Sequence, residues 1–360
     1  YEYSPSANTY TQKLAGGGSF NSNEQYTGIV FDSGFYLTRP DRIPQYLSMT
    51  SSGNFANLAN WDATHRCKVL RSFNGFLVAF NITKASTTFP TMVKWSDLKV
   101  GGSNPDWDIT NPSLLAGENT LADMPSEIVD ALALRNSLYI YSRNQIWRMD
   151  FIGGNDVFSF NRVFDKVGLI NSNAVVEAEG RHYCFGLDDI YTHDGTSKIS
   201  IADGRVRDFI YSGINSSDNA GEVSKAFFVA HNAVSKEVIF AYTSGDEFVP
   251  DDLRGTVRCN RGAVFNYTNN TWSFIDLPNV SSATLASLNL AVATYSNLTQ
   301  TYDGAGFTYA SQDAQDFVRR SLFVSEPHGS GSHNVSETLV FDNVDDGSIA
   351  KPVASRVLNA

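Results

Sequence analysis

Residues 171–195, NSNAVVEAEGRHYCFGLDDIYTHDG, carry the clearest fold signal in the chain. Three short apolar runs, around Val175, Tyr183 and Ile190, are separated by the turn sequences EAEG and LDD. Glycine and acidic residues favour tight turns because they tolerate left-handed backbone or hydrogen-bond to their own main chain. The stretch therefore predicts a meander of three antiparallel strands, as in a blade of a β-propeller.

The same pattern recurs along the chain, most clearly at the Asn74-Gly75 turn between two apolar runs. Turn centres near residues 33, 74, 136, 179, 235 and 303 define six units, spaced 41 to 68 residues apart. A propeller blade repeats every 40–50 residues or so, roughly this spacing. We therefore predict an all-β fold, a β-propeller of about six blades built from antiparallel hairpins with short helical insertions. Two packed sandwich domains are the alternative architecture.

The expected domain organisation has three parts. Residues 1–27 form an N-terminal arm or lead-in, residues 28–325 form the propeller, and residues 326–360 form a flexible loop and C-terminal tail segment. Asp203 is placed to cap a short helix through Tyr211, and residues 312–320 are a second helical candidate. Large aromatic residues fall on comparable outer strands, where they are expected to fill gaps between blades or, alternatively, to line a ligand groove: Trp95, Trp147, Tyr191 and Trp272.

The composition, 42% hydrophobic and 12% aromatic in 360 residues, suits a chain with a large packed core. Its net charge of −11 disfavours binding to nucleic acid or to an anionic membrane surface. Cys67, Cys184 and Cys259 have no metal-ligand spacing and are expected to be buried thiols. The chain also lacks an apolar run long enough to span a membrane, so no membrane segment is expected.

One group of residues could hold a metal or transfer protons: His182 and His193 with Asp188, Asp189 and Asp194. Strand alternation is expected to scatter these residues onto opposite faces, and acidic residues are common at hairpin turns. We therefore interpret them as turn and strand residues, and we expect His182→Ala to be nearly silent.

Other candidate sites lack essential parts of their motifs. Asp342, Asp345, Asp346 and Gly347 resemble a calcium loop, but Val344 stands where a ligand is needed. His328, Ser330 and His333 lie in a Gly/Ser-rich segment without the strand–turn–helix context of a nucleophile. The chain also has no phosphate-binding loop and no sialidase-like aspartate box. The sequence therefore predicts no catalytic, cofactor-binding or metal-binding residue, no cofactor and no enzymatic activity.

A succession of segments in the middle of the chain resembles a known family. It runs through NSLYIY from Asn136, QIWRMD from Gln145, KVGLI from Lys166 and NAVVE from Asn173. It continues with YCFG, DIY, DGTS and ISIADGRVRDFI between Tyr183 and Ile210, and ends with the later strand pair AVFNY and TWSF. This order is similar to that of the propeller in tail nozzle and hub proteins of short-tailed bacteriophages (tail tubular protein B-like and phage stabilisation protein-like). The resemblance covers residues 66–280, about three fifths of the chain.

This resemblance implies a structural virion protein of a phage tail. Such a protein forms a six-fold homo-oligomeric ring that extends the tail tube, lets DNA pass during ejection, and contacts the tail adaptor and the tail fibre or needle proteins. The family carries no catalytic residues, and the net negative charge suits a surface past which DNA moves without binding. The alternative is a secreted or surface propeller that binds or cleaves glycans, suggested by the outer-strand aromatics and by seven Asn-x-Ser/Thr sequons.

Overall fold

A computed structural model gives the architecture of the chain. It describes residues 2–4, 9–11, 13, 26–99, 103–154, 156–215, 224–245, 258–280, 282–288, 319–327 and 336–341, with backbone alone at 2–4, 9–11, 215, 278–279, 285–288, 319–327 and 336–341. The regular secondary structure of the described residues is almost entirely β. They begin with a small two-stranded sheet, β1 (Glu2–Ser4) and β2 (Thr9–Thr11), within the predicted N-terminal arm.

Five four-stranded antiparallel sheets follow, and each is built from strands that are consecutive in the sequence. The first blade contains β3 (Thr27–Phe31), β4 (Gly34–Thr38), β5 (Gln45–Ser48) and β6 (Ala56–Asn57). The second contains β7 (His65–Phe73), β8 (Phe76–Lys84), β9 (Thr87–Trp95) and β10 (Gly117–Thr120). The third contains β11 (Ile128–Leu134), β12 (Ser137–Ser142), β13 (Gln145–Phe151) and β14 (Phe158–Asp165).

The fourth blade contains β15 (Val175–Ala178), β16 (Arg181–Phe185), β17 (Ile190–His193) and β18 (Lys198–Ser200). The fifth contains β19 (Phe228–Asn232), β20 (Glu237–Tyr242), β21 (Cys259–Asn266) and β22 (Thr271–Val280). A last sheet has three strands, β23 (Ser282–Leu288), β24 (Arg319–Pro327) and β25 (Ser336–Phe341). β24 crosses position 325, where the sequence places the end of the propeller.

The blades are arranged as a β-propeller, which confirms the predicted fold class. The first strand of each blade contacts the first strand of the next, from β3 through β7, β11 and β15 to β19. The predicted number of six blades is wrong, because the described residues form five four-stranded blades. The sixth predicted turn, near residue 303, lies outside the described residues, and the sheet that flanks it has three strands and contacts the fifth blade through β19 and β22.

The turns between the first two strands of the five blades fall where the sequence places them. Each turn contains at least one residue with a positive φ. Such turns close a tight hairpin because their twist matches the right-handed twist of the flanking strands. Asparagine, aspartate and glycine adopt this conformation at low cost, and other residues adopt it here as well. The residues concerned are Asp32, Asn74, Gly75, Arg135, Glu179, Gly180 and Lys236.

Helix α1 (Gly204–Asn215) follows the fourth blade. The Asp203 carboxylate accepts the Val206 backbone N–H at 2.9 Å, which confirms the predicted N-cap. The helix extends one turn beyond the predicted end at Tyr211, and Ile210 and Ile214 bury its apolar face. A short 3-10 turn, Ser224–Ala226, precedes β19.

The second predicted helix is wrong at its end, because Arg319 and Arg320 belong to β24; residues 312–318 lie outside the described part of the chain. The outer strands β5, β6, β10 and β14 carried too little apolar alternation for the sequence to reveal them. β14 illustrates the reason: its central residues Asn161 and Arg162 are exposed, so burial does not impose a period-two pattern.

Aromatic side chains fill the gaps between blades, as expected. Trp95 of the second blade lies 5.3 Å from Phe158 and 6.2 Å from Phe160 of the third, measured between ring centroids. Trp272 of the fifth blade donates its indole N–H to the Ile201 carbonyl oxygen, in the segment after the fourth blade, at 3.1 Å. The three cysteines are buried free thiols, which confirms that prediction.

A buried ion pair joins the inner strands. Arg71 on β7 donates to the Asp130 carboxylate on β11 at 2.6 Å, and its other guanidinium N–H groups reach backbone carbonyl oxygens of Gly28, Leu70 and Ala131. The second carboxylate oxygen of Asp130 accepts the Asn173 backbone N–H at 2.8 Å. Carboxylate and guanidinium are therefore compensated on several sides, which a buried ion pair requires.

The chain of contacts then continues around the ring. The carbonyl oxygen of Asn173, just before β15, accepts the Val229 backbone N–H on β19 at 2.9 Å, and its side-chain amide donates to the Tyr26 carbonyl oxygen before β3. Polar contacts through Arg71, Asp130 and Asn173 thus connect the inner edges of all five blades.

Candidate functional site

The two histidines singled out in the sequence lie side by side. His182 on β16 and His193 on β17 are direct partners in the register of this antiparallel pair, so their side chains project from the same face. The expectation that strand alternation would scatter them was wrong for this pair, because it considered each strand alone and not the register between them. Their ring centroids are 5.2 Å apart, and both side chains are fully buried.

A tyrosine from the neighbouring blade joins the two imidazoles. The Tyr141 hydroxyl on β12 lies 2.5 Å from Nδ1 of His182 and 2.6 Å from Nε2 of His193. The other ring nitrogen of His182, Nε2, lies 3.0 Å from the Ala133 carbonyl oxygen on β11. Nδ1 of His193 accepts the Gly195 backbone N–H at 3.2 Å. We call this group, His182, His193 and Tyr141, the Tyr141 clasp.

The partners determine every proton in the Tyr141 clasp. Nε2 of His182 must carry a hydrogen because a carbonyl oxygen can only accept, so Nδ1 of His182 accepts from the Tyr141 hydroxyl. The Tyr141 oxygen in turn accepts from Nε2–H of His193, whose Nδ1 accepts from Gly195. One chain of hydrogen bonds, all donated in the same direction, therefore runs from Gly195 through His193, Tyr141 and His182 to Ala133. Each ring nitrogen and the phenol have a partner.

Burial keeps both imidazoles neutral. Loss of hydration lowers the pKa of His182 to about 4, and the Ala133 carbonyl opposes this shift only in part. Loss of hydration and then the nearby charge of a protonated His182 lower the pKa of His193 to about 3. Neither imidazole has a free lone pair directed at solvent, so the Tyr141 clasp is built to join the third and fourth blades.

The three aspartates of the predicted group do not join it. Asp194 accepts the backbone N–H groups of Thr196 and Ser197 at 2.9 and 2.8 Å, and these bonds lower the pKa of its carboxyl group. Asp189 accepts the Ser200 hydroxyl at 2.7 Å, and Asp188 is exposed. The interpretation of these residues as turn residues is confirmed. Across the residues that the structure describes, no group of three or more His, Cys, Asp or Glu side chains is placed to hold a metal ion.

Asp188 and Asp189 instead line a cleft of about 330 Å³ at the rim between the third and fourth blades. Arg143 and Lys166 line the same cleft, so its lining carries both positive and negative groups. Arg143 is already engaged, since it donates to the Ile170 carbonyl oxygen at 2.8 Å and to Glu127 at 3.2 Å.

A larger apolar groove of about 980 Å³ lies on the first blade. One face of this blade, with Tyr36 and Tyr46, packs against the second blade. The opposite face bears side chains that alternate with these, and they line the groove: Val30, Phe35, Leu37, Leu47 and Met49. Val30 is 53% exposed and Met49 is 52% exposed. We call this surface the first-blade groove.

The sequence contained signals for both features. Tyr139 and Tyr141 share one face of β12 because they are two residues apart, and this face points to the fourth blade. Alternation also places Val30 opposite Phe35 on one face of the first hairpin. No sequence signal distinguishes this face from one covered by another blade. The other motif candidates, at 328–333 and 342–347, lie outside the described residues.

In the part of the chain that the structure describes, no helix has the length and apolar character needed to cross a membrane. No family model matches the chain, and no curated protein matches it. Among solved structures, the chain is similar to the computationally designed Ika8 protein, with 11% sequence identity and a TM-score of 0.40. The alignment covers 72% of this chain and 64% of that one, less than two thirds of the designed protein. A likeness this distant identifies neither a family nor an activity.

Proposed function

We propose that the chain is a non-enzymatic structural β-propeller of a bacteriophage tail, acting as nozzle or hub. The observation that carries the structural role is the Tyr141 clasp, because the strongest group of titratable residues is consumed by internal hydrogen bonds between two blades. A general acid or base must reach a substrate proton, and these imidazoles have no lone pair left to do so. The phage-tail assignment rests on the resemblance across residues 66–280.

The first-blade groove supports a docking role within such an assembly. Monomeric proteins seldom expose a large contiguous apolar surface, and those that do commonly use it to bind another protein. In a tail, the partners would be neighbouring copies in a homohexameric ring, the adaptor, or the fibre and needle proteins. Within a single propeller, the buried side chains of Arg71 and Asp130 join the inner strands. The proposed DNA passage is therefore the lumen of the homohexameric ring and not the centre of an individual propeller.

The glycan-binding alternative receives no specific support from the aromatic residues that suggested it. Trp95 and Trp147 are buried, and the indole N–H groups of Trp95 and Trp272 bind backbone carbonyl oxygens within the fold. An exposed aromatic face is needed to stack on a sugar ring. A glycan array run on the wild-type chain, with Trp272→Ala as comparison, separates this alternative from the structural role.

The proposal is tested by cryo-electron microscopy of phage particles purified from a culture that produces the chain. We expect propeller density repeated around the tail axis below the portal. Density for the chain in the capsid, or its recovery only outside particles, would contradict the assignment. Val30→Asp tests the docking role, with Ile152→Asp, which changes a comparably exposed residue of the third blade, as the matched control. We expect only the first substitution to prevent incorporation into particles.

A further inference from the structure

The Tyr141 clasp bridges two blades through groups that change charge on the acid side of neutral. We propose that it is an acid-released fastening: protonation of either imidazole breaks the hydrogen-bond chain and opens the seam between the third and fourth blades while the other blades stay folded. This inference is independent of the phage-tail proposal, since it concerns the stability of one seam in any setting.

An added proton on either imidazole would break the hydrogen-bond chain of the Tyr141 clasp. In both imidazoles the unprotonated nitrogen is Nδ1, and each Nδ1 already receives a hydrogen, from the Tyr141 hydroxyl in His182 and from the Gly195 backbone in His193. An added proton would place two hydrogens on the same line, so the donor must turn away. The phenol compensates poorly: to accept from a protonated His182, the Tyr141 hydroxyl must turn its own hydrogen toward the Cys184 sulfur, which is a weak acceptor.

The surroundings offer little to stabilise an imidazolium ion. The titratable and charged groups that face the clasp are few: Tyr139 from β12, Arg181 and Cys184 from β16, Tyr191 and Asp194 from β17 and its following turn, and Asp130 from β11, whose carboxylate is already paired with Arg71 at 2.6 Å. β11 contributes the Ala133 carbonyl oxygen, and β14 contributes the apolar ring of Phe164, whose centroid lies 5.5 Å from that of His193. Arg181 and Asp194 pair with each other at 3.4 Å, so their effects on His193 largely cancel.

The seam opens because an exposed imidazole regains its ordinary basicity. Both histidines have lowered pKa values in the folded chain, so the stabilisation is fully present above about pH 6.5 and is lost as the pH falls toward the folded values of about 4 and 3. From pH 7 to pH 5, linkage with an ordinary histidine pKa of about 6.5 increases the opening equilibrium about 20-fold per released imidazole, and about 500-fold for both.

Hydrogen exchange measured by mass spectrometry on the full chain tests this inference. Protection factors, which correct for the intrinsic effect of pH on exchange, are compared at pH 7 and pH 5 in β12, β16 and β17. Residues 76–80 of β8 serve as the reference, because they lie at the opposite end of their hairpin from His65. We expect protection in the three seam strands to fall at least 20-fold more than in the reference. An equal fall in both regions would overturn the proposal, because acid would then unfold the whole propeller.

His182→Gln supplies a side chain that cannot be protonated in this pH range. We expect the fall in protection of the seam strands between pH 7 and pH 5 to be about 20-fold smaller in this variant than in the wild type. The matched control is His231→Gln, which changes a partly exposed histidine paired with Tyr267 in the fifth blade and should leave the seam unchanged. Unaltered sensitivity in His182→Gln would overturn the proposal.

Nuclear magnetic resonance of the wild-type imidazoles gives an answer even if the variant fails to fold. We expect both imidazoles to carry their hydrogen on Nε2. We also expect their chemical shifts to stay nearly constant between pH 7 and pH 5. Titration of either ring near pH 6.5 in the folded chain would refute the acid-released fastening.

Discussion

The side chain of His182 contributes more to the fold than the sequence predicted. The sequence suggested a histidine near a turn, whose replacement by alanine would be nearly silent. The side chain is in fact fully buried, and both ring nitrogens have partners. Its removal would leave a cavity and take away the Nδ1 atom that accepts the Tyr141 hydroxyl hydrogen. We now expect His182→Ala to lower the free energy of unfolding by about 2–5 kcal/mol, measured by chemical denaturation.

Tyr141→Phe isolates the hydrogen bonds of the clasp from its packing. The substitution keeps the ring but leaves one donor and one acceptor buried without partners, each costing about 1–3 kcal/mol. We expect a lowered free energy of unfolding at pH 7. Tyr267→Phe is the control, because its hydroxyl contacts His231 at a partly exposed position. A loss of stability as small as that of the control would contradict the assigned hydrogen-bond chain.

Two glycines with left-handed backbone test the packing around the clasp. Gly195 has φ +89°, and a Cβ atom there would overlap the Tyr139 hydroxyl; Gly154 has φ +77° and no atom within 4 Å of such a Cβ. Alanine at either position carries a similar backbone strain. We expect Gly195→Ala to be more destabilising than Gly154→Ala by about 1–3 kcal/mol, the range typical of overpacking. Equal thermal denaturation of the two variants would show that Tyr139 moves aside freely.

At the scale of elements, the hairpin of the second blade depends on its turn. Asn74 and Gly75 have φ values of 47° and 86°, as a two-residue hairpin turn requires. Gly75→Val forces a β-branched residue into this region, so we expect a loss of about 1–3 kcal/mol. Gly75→Asn is the control, since asparagine tolerates left-handed backbone. The measurement is thermal unfolding of both variants, and equal midpoints would show that the turn is not limiting.

The first hairpin shows what an element cannot reveal by itself. Alternation gives β3 and β4 one face with Ile29 and Tyr36 and another with Val30 and Phe35, and both faces are apolar. Only the first of these faces is covered by the second blade. The exposed face therefore depends on the arrangement of blades and not on any property of its own residues.

At the scale of the whole molecule, Arg71 and Asp130 hold the inner strands together. Removing one member of a buried ion pair leaves an uncompensated charge, which costs about 3–5 kcal/mol. We therefore expect Arg71→Met to be strongly destabilising, and the double variant Arg71→Met/Asp130→Asn to be less destabilising than the sum of the two single changes. A double-mutant cycle in chemical denaturation measures this coupling. Additive losses would mean that the pair contributes no coupling energy.

The local features of this chain were determined by the sequence. Five hairpin turns, the Asp203 cap and the buried cysteines could be predicted because turns and caps depend on the conformational preferences of a few adjacent residues, and apolar runs indicate burial. The predicted fold class followed from the recurrence of these hairpins. The blade count did not, because a turn sequence near residue 303 has the same signature whether or not four strands surround it.

The contacts between blades were decided only by the tertiary structure. Tyr141 bonds to residues 41 and 52 positions away, and Arg71 bonds to one 59 positions away. No local preference encodes such distances; they depend on the register of each strand pair and on which sheet faces pack together. For the same reason, the two histidines that suggested a metal-binding or proton-transfer site form an internal contact between two blades. Both imidazoles are buried, and each of their ring nitrogens has a hydrogen-bond partner.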